Sequence, residues 1–278
     1  MKATQVEEII AKTFLYISVF ITVGCLVAIM FHIMEKGLGV ISWEFLTGYP
    51  EDMGREGGIF PSIVGTIYLI AVALAFAAPV GILSAIHLTE YTKKGKLVNA
   101  IRFATETLAG IPSIIFGLFG FAFLVIFMGF HWSILSGGLT LAFMILPTII
   151  RTTEEAIKSV PQIYREGSLA LGATKWQTIY KIVLPAALPG IVTGIILGIG
   201  RAVGETAAVL LTAGSSLNLP TSIMDPARSL SIHLYTLASE GISFRMAYGT
   251  ATVLIIMIFI INVSANILMN KMTTKTTV

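Results

Sequence analysis

Residues 166–185, EGSLALGATKWQTIYKIVLP, form a polar and charged stretch between strongly hydrophobic segments of the chain. Glu166 opens the stretch, Gly172 follows six residues later, and the sequence IVLP closes it at residues 182–185. A chain that only crosses a membrane can connect two segments by a short turn. The length and composition of this stretch therefore predict a folded surface element between two membrane spans.

The local pattern of this stretch predicts two short helices. Residues 168–171 favour a helical turn with one apolar side, and Gly172 permits a sharp exit from it. Thr174 can cap a second helix, which is expected to run to Val183 and to end where Pro185 opens the next hydrophobic segment.

A short helix that ends at a glycine projects from the surface and can fit a groove on another protein. Glu166 would then carry the charged contact at the edge of this surface. The alternative is an amphipathic loop on lipid headgroups, with Lys175, Trp176 and Lys181 as interfacial anchors. The composition of the stretch leaves both alternatives open.

The composition is that of a membrane protein. Among 278 residues, 55% are hydrophobic and only 12% are charged, and the mean hydropathy is +0.88. Soluble domains usually carry about 25% charged residues. The net charge of +3 is too small to suggest a nucleic-acid partner, and the single cysteine, Cys25, cannot form an internal disulfide. The bilayer is therefore the expected surrounding.

Six hydrophobic segments are long enough, or nearly so, to cross a bilayer as helices, which takes about 20 residues. They are residues 13–34, 62–88, 107–130, 134–150, 185–214 and 246–269. The fourth is the weakest, because it is short and contains Pro147. The runs are continuously apolar, which excludes the alternation of a membrane β-barrel. The expected fold is an all-α membrane protein without β-structure.

The chain is expected to divide into three parts. Residues 1–61 hold the first span and an acidic outer loop, residues 62–270 hold the main helical domain with a loop at 152–184, and residues 271–278 form a tail. The sequence GGIFP at 57–61 can turn the chain back into the membrane, since Pro suits a helix start.

The distribution of Lys and Arg predicts the orientation, because cytoplasmic loops are enriched in these residues. With the N-terminus inside, thirteen basic residues face inward: Lys2, Lys12, Lys93, Lys94, Lys96, Arg102, Arg151, Lys158, Arg165, Lys175, Lys181, Lys271 and Lys275. Four face outward: Lys36, Arg55, Arg228 and Arg245. Both termini and the 166–185 stretch are therefore expected in the cytoplasm.

Arg201 and Glu205 lie within the fifth hydrophobic segment, four residues apart, and are expected on one helix face. The face continues through small residues: Gly194, Gly198, Ala208 and Thr212. A charge at the bilayer centre costs about 2.5–3.5 kcal/mol on insertion scales, so it must be paired or face water. The pair predicts a path for an anion, with Arg201 as the cation and Glu205 orienting it. A purely structural salt bridge is the alternative.

Three segments resemble phosphate ABC permeases of the PstA/PstC type. They are RAVGETAAVLLTAG at 201–214, TETLAGIPSIIFGLFG at 105–120 and GGIFPSIVGTIYL at 57–69. The 166–185 stretch also resembles the loop by which ABC importer permeases dock an ATPase, with Gly167-Ser168 in place of the usual Ala-Ala. The length and the C-terminal region look more like PstA than PstC.

This resemblance implies a type I (MetI-like) importer permease bundle in a prokaryotic inner membrane. Its expected partners are a second, PstC-like permease, PstB-like ATPase subunits and a PstS-like phosphate-binding protein. The residues expected to couple to the ATPase are Glu166, Gly167, Ser168, Leu171, Gly172, Ala173, Ile182, Leu184 and Pro185. The residues expected along the substrate path are Arg201, Glu205, Thr206 and Ser113, although Ser113, which follows Pro112, could equally serve packing.

The sequence contains no G-x-x-x-x-G-K-[ST] motif, so ATP must be bound by another polypeptide. No cofactor or metal is expected, because the four histidines lie in separate segments. Within transport, a permease for molybdate or sulfate is the alternative. An intramembrane enzyme is disfavoured, since no set of convergent catalytic side chains is visible. Glu106 is expected at the N-terminus of the third span, where a carboxylate favours the helix dipole.

Overall fold

The computed structural model describes residues 2–92 and 95–276, which are mostly helical. The long helices are α1 (Lys2–Leu38), α3 (Phe60–Ile86), α4 (Lys96–Ala109), α6 (Ile134–Ser159), α9 (Leu184–Val203) and α12 (Phe244–Thr276). The shorter ones are α2 (Trp43–Thr47), α5 (Ser113–Gly120), α7 (Gln162–Ala170), α8 (Lys175–Thr178), α10 (Ala207–Thr212) and α11 (Leu230–Ser239). Three π-helical stretches extend α3 (His87–Tyr91), α5 (Phe121–Phe127) and α8 (Ile179–Val183).

Within these described residues, five helices are long and apolar enough to cross a membrane, and the bent pair of α4 and α5 is a sixth candidate. This agrees with the all-α membrane fold and with about six spans. Most of the expected tail, 271–278, continues α12, and residues 277–278 lie outside the described part. We call the end of the bundle that carries α7 the α7 end, and we call the opposite end the α11 end.

The third span differs from the prediction of one helix over 107–130. The chain instead forms α4 and α5, which meet at an angle of 102°. The break falls at residues 110–112, because the residue before Pro112 is disfavoured in the helical conformation. Glu106 consequently lies in the last turn of α4, not at a helix N-terminus, so its expected dipole role is wrong.

The fourth predicted span, the weakest in the sequence, is the central helix of the bundle. α6 extends to Ser159 and keeps Pro147 within it. Its apolar window is the most buried of the five candidate spans, and its Met144, Ile145 and Ile149 are fully enclosed. Close packing with α3 requires a glycine there, since a Cβ on Gly81 would lie 2.7 Å from the Cγ2 of Ile149.

The first helix stands apart from this core. The apolar window of α1 is entirely exposed within the chain, and α1 is joined to α12 near its C-terminal end, where Gly37 lies against Tyr248 and Thr252. The loop that follows contains a small antiparallel ladder that pairs Pro50–Glu51 with Glu56–Gly57. The expectation of no β-structure is therefore wrong for these four residues. Pro61 lies in the first turn of α3, as predicted.

Candidate functional site

The loop between α6 and α9 folds as the sequence predicts at its turn. Gly172 adopts a φ of +84°, a conformation that glycine accepts without strain, and ends α7 sharply. Thr174 then caps α8 in a capping box: its hydroxyl accepts from the Gln177 N–H, and its own N–H donates to the Gln177 side chain. We call residues 162–178 the coupling loop.

The second helix of the coupling loop does not end at Pro185, as the sequence suggested. Residues 175–203 form one continuous helix of 29 residues. A proline ring normally clashes with the carbonyl one turn earlier, here within a π-helical stretch, Ile179–Val183. The wider turn accommodates Pro185, so the loop and the fifth span are a single element.

The residues predicted for coupling divide into a tip and a root. At the tip, Leu171 is 91% exposed, and Glu166, Gly167 and Gly172 are also exposed, whereas Ala173 is half-buried. Ser168 points inward, where its hydroxyl lies 2.9 Å from that of Thr178.

The root, residues 182–185, follows the coupling loop and is packed into the bundle. Ile182, Leu184 and Pro185 are half-buried. Beside them, Val183 is enclosed in an apolar cluster with Ile86 of α3 and Ile157 of α6. The IVLP sequence thus anchors the loop in the bundle, and the exposed tip is the part available to another protein.

Arg165 of the coupling loop forms an ion pair with Glu90 at the α7 end. The sequence predicted Arg165 only as one of the inward-facing basic residues. Two guanidinium nitrogens, Nε and Nη2, donate to Oε1 of Glu90 at 3.0 and 2.8 Å. Both side chains are nine-tenths buried. The two residues are 75 positions apart, so no spacing rule in the sequence could have paired them.

The fifth span is broken at the charged residues that were expected on one helix face. α9 ends at Val203 and α10 begins at Ala207, so the predicted continuous helix over 185–214 is wrong. The small-residue seam on α9 faces α6: a Cβ on Gly194 would lie 2.9 Å from the Cβ of Thr152. That seam continues to the buried Ala202, which leaves Arg201 on its flank.

Arg201 is half-buried near the end of α9. Among the side chains that the structure describes, none forms a hydrogen bond or an ion pair with it. Neither the orienting contact with Glu205 nor a structural salt bridge of Arg201 is therefore found among these side chains.

Glu205 supplies hydrogen bonds at the break between α9 and α10. Its carboxylate accepts a hydrogen bond from the backbone N–H of Ala208 at 3.1 Å, which caps α10. Its carbonyl accepts a hydrogen bond from the Ser231 hydroxyl of α11 at 2.7 Å. Thr206 is half-buried in the same break, with its hydroxyl 3.5 Å from the Gly204 carbonyl. These bonds satisfy backbone groups that the helix would otherwise pair.

Ser113 opens α5 directly after its bend and is half-buried. α5 packs closely on α10, where a Cβ on Gly117 would lie 2.8 Å from the Cα of Ala208. Ser113 lies one turn before Gly117, toward the part of the chain where α9 breaks. The two helix breaks therefore belong to neighbouring elements.

The α11 end holds a buried basic cluster that the sequence did not indicate. Arg228 is 6% exposed and donates from Nε and Nη2 to the Ser215 carbonyl at 3.2 and 3.1 Å. Its Nη1 lies 3.4 Å from Nδ1 of the fully buried His233. Burial, together with the charge of Arg228, lowers the pKa of His233 to about 4. This cluster adjoins Ser231, which bonds Glu205.

Broken spans, an exposed loop tip and an arginine without a partner among the described side chains are typical of a multi-pass membrane permease. The chain belongs to the family described as "Binding-protein-dependent transport system inner membrane component", whose model matches residues 77–277. It is thus a membrane permease subunit of an ABC importer and not an enzyme, because separate ATPase subunits hydrolyse the ATP.

Two curated relatives cover most of the chain. It is 34% identical over 270 residues to "Phosphate transport system permease protein PstA 1" of Mycobacterium tuberculosis (strain CDC 1551 / Oshkosh), covering 94% of this chain and 88% of that protein. It is 31% identical over 261 residues to "Probable ABC transporter permease protein YqgI" of Bacillus subtilis, covering 88% and 89%. The resemblance to PstA-type permeases is confirmed.

Among solved structures, the chain resembles a subunit of a bacterial alginate ABC transporter, solved in complex with an alginate pentasaccharide-bound periplasmic protein. The TM-score is 0.71 at 18% identity, and the match covers 96% of this chain and 97% of that one. This likeness confirms the type I (MetI-like) permease fold.

Protonation of His233 should destabilise the α11 end in acid. The unfolded imidazole binds a proton near pH 6.5 and the folded one near pH 4, so stability is full above pH 6.5 and falls as the pH drops toward 4. The loss should reach at most about 3 kcal/mol. Thermal unfolding of the detergent-solubilised protein between pH 7.5 and 4.5 measures it.

His233→Gln should flatten this acid dependence, whereas His87→Gln, at an exposed position, should leave it unchanged. An acid dependence equal to the wild type in His233→Gln would contradict the assignment.

Proposed function

We propose that this chain is a permease subunit of an ATP-driven phosphate importer and that Arg201 lies on the phosphate path. The observation that carries the proposal is Arg201, a half-buried cation in a membrane span without a partner among the described side chains. The name of the mycobacterial relative, a phosphate transport permease, supports the same substrate.

An unpaired arginine in a span needs a counter-charge from outside the chain. A charge within the membrane is costly and in known proteins faces a partner or a water-filled path. Phosphate carries up to two negative charges, and the planar guanidinium can donate two parallel hydrogen bonds to it. The Glu205 carboxylate already caps α10. It therefore stabilises the break beside Arg201 and does not neutralise the charge of Arg201.

The break between α9 and α10 supports a path at this level. Transporters commonly bind their substrates where spans are interrupted near the middle of the membrane, because irregular backbone is tolerated only beside protein or water. Thr206 and Ser113, at the two neighbouring breaks, offer hydroxyl groups for the same path.

We place the α7 end in the cytoplasm, together with both termini, because thirteen basic residues then face inward and four outward. The exposed tip at Leu171 and Glu166 would contact a PstB-like ATPase there. A PstC-like second permease would complete the path, and a PstS-like protein would deliver phosphate on the other side. ATP-driven movement of the coupling loop would then alternate access to Arg201.

The substrate is tested by uptake into proteoliposomes that contain this chain with its co-encoded permease and ATPase, with binding protein outside and ATP inside. Labelled phosphate should accumulate only with ATP, and excess sulfate or molybdate should not compete. Uptake of one of those oxyanions in place of phosphate would refute the substrate and keep the importer architecture.

Arg201→Gln should abolish phosphate uptake while the complex still assembles and hydrolyses ATP, because the substitution removes the charge and keeps a polar side chain. Arg245→Gln, at an exposed position at the start of α12, should retain uptake. Failure of the Arg201 variant to assemble would favour a structural role instead.

Gly172→Val should detach the ATPase, since a β-branched residue at a φ of +84° distorts the tip. Copurification of the ATPase with the tagged permease measures the effect. Gly241→Val introduces similar strain at a φ of +66° at the α11 end and should retain the ATPase. Normal copurification and transport in Gly172→Val would remove the docking role of the tip.

A further inference from the structure

Arg165 joins three elements at the α7 end through one guanidinium group. It donates twice to Glu90, which lies in the π-helical end of α3. It also donates from Nη1 to the Val160 carbonyl at 2.7 Å and from Nη2 to the Ile157 carbonyl at 2.9 Å, at the end of α6. Arg165 itself belongs to α7.

A second contact reinforces the same point. Lys175, the first residue of α8, donates to the Glu90 carbonyl, and its ammonium lies 5.0 Å from the centre of the Tyr91 ring. The end of α3 is therefore held by both helices of the coupling loop. A cation is stabilised by a nearby carboxylate, carbonyl oxygen or aromatic ring face. Together these contacts fix the position of α7 and α8 relative to the end of α3.

Apart from these contacts, the coupling loop packs loosely against the end of α3. A cavity of about 610 Å³ lies between the loop and the ends of α3 and α6, and Glu90, Arg165, Lys175 and Leu169 are among the residues that line it. Without the ion pair, α7 would have little packing against α3. The pair thus bridges a gap that side-chain packing leaves open.

Chain connectivity shows why α3 needs such a contact. The coupling loop continues directly into α6 on one side and into α9 on the other. α3 is not adjacent to the loop in the chain, yet it packs along α6 in the core of the bundle. A displacement of the loop reaches the end of α3 directly only through noncovalent contacts, among them the buried pair of Arg165 and Glu90.

We propose that Arg165 and Glu90 are positioning residues that transmit movement of the coupling loop to the end of α3, so that ATP hydrolysis on a docked ATPase drives the bundle. The inference rests on the proposed docking function. Removal of one partner leaves the other buried and unpaired, which strongly weakens such a contact. The loop would then move under the ATPase while α3 lagged behind.

The test is a double-mutant cycle with Arg165→Gln, Glu90→Gln and the combined variant in the reconstituted complex. The readout is the number of phosphate ions taken up per ATP hydrolysed. Each single variant should retain copurified ATPase and hydrolysis, but the ratio should fall at least about tenfold. The combined variant should be no worse than either single one, because both remove the same contact.

Glu154→Gln is the matched control. Glu154 is a buried carboxylate at the same end, 3.2 Å from Nε of Arg102 and 3.0 Å from Nζ of Lys158, but it does not contact the coupling loop through these pairs. Its loss should lower thermal stability and leave the ratio near the wild-type value. An equal fall of the ratio in Glu154→Gln would indicate a general structural effect and overturn the proposal.

Wild-type ratios in the two single variants, or losses that add in the combined variant, would also overturn it. If a glutamine variant fails to assemble, Arg165→Lys replaces it, since lysine keeps the charge but cannot form the two-pronged contact; a wild-type ratio there would refute the proposal. Failure of the proposed function is distinguishable, because wild-type complex would then lack phosphate uptake or copurified ATPase.

Discussion

The need to pair every backbone polar group inside the membrane governs this structure. An unpaired group costs several kcal/mol in hydrocarbon, so a span can break only where other groups take over its hydrogen bonds. The break after α9 meets this condition through Glu205, which caps α10, and Ser231, which bonds the Glu205 carbonyl. The interrupted fifth span therefore depends on α11, and the α11 end depends on the buried cluster around Arg228 and His233.

The need for a bonding partner also distinguishes charged residues that stabilise the fold from those that are free to bind a substrate. Glu205, Glu90 and Arg165 are committed to bonds within the chain. Arg201 has no such bond among the side chains described, and the proposed phosphate path rests on this difference. A basic side chain that already had a carboxylate partner would offer an incoming phosphate little net attraction.

Hydropathy and local chemistry predicted the number of spans, the turn at Gly172 and the cap at Thr174, since each depends on residues close in sequence. The interruptions of the third and fifth spans were not predicted, because apolar residues resume directly after residues 110–112 and 204–206, so each hydrophobic run was interpreted as one span. The role of Glu205 depends on Ser231, 26 residues away, and Arg165 pairs with Glu90 across 75 residues. Such long-range contacts follow from the fold and leave no periodic signal.

The continuous helix over residues 175–203 connects the coupling loop to the region of Arg201, so a tilt of this helix moves both ends. From Trp176 at one end to Arg201 near the other, it measures about 38 Å at a rise of about 1.5 Å per residue. A tilt of roughly 6° about its midpoint would move both ends by about 2 Å in opposite directions. A helix that tilts as one body therefore turns a small displacement at Trp176 into an opposite displacement of Arg201.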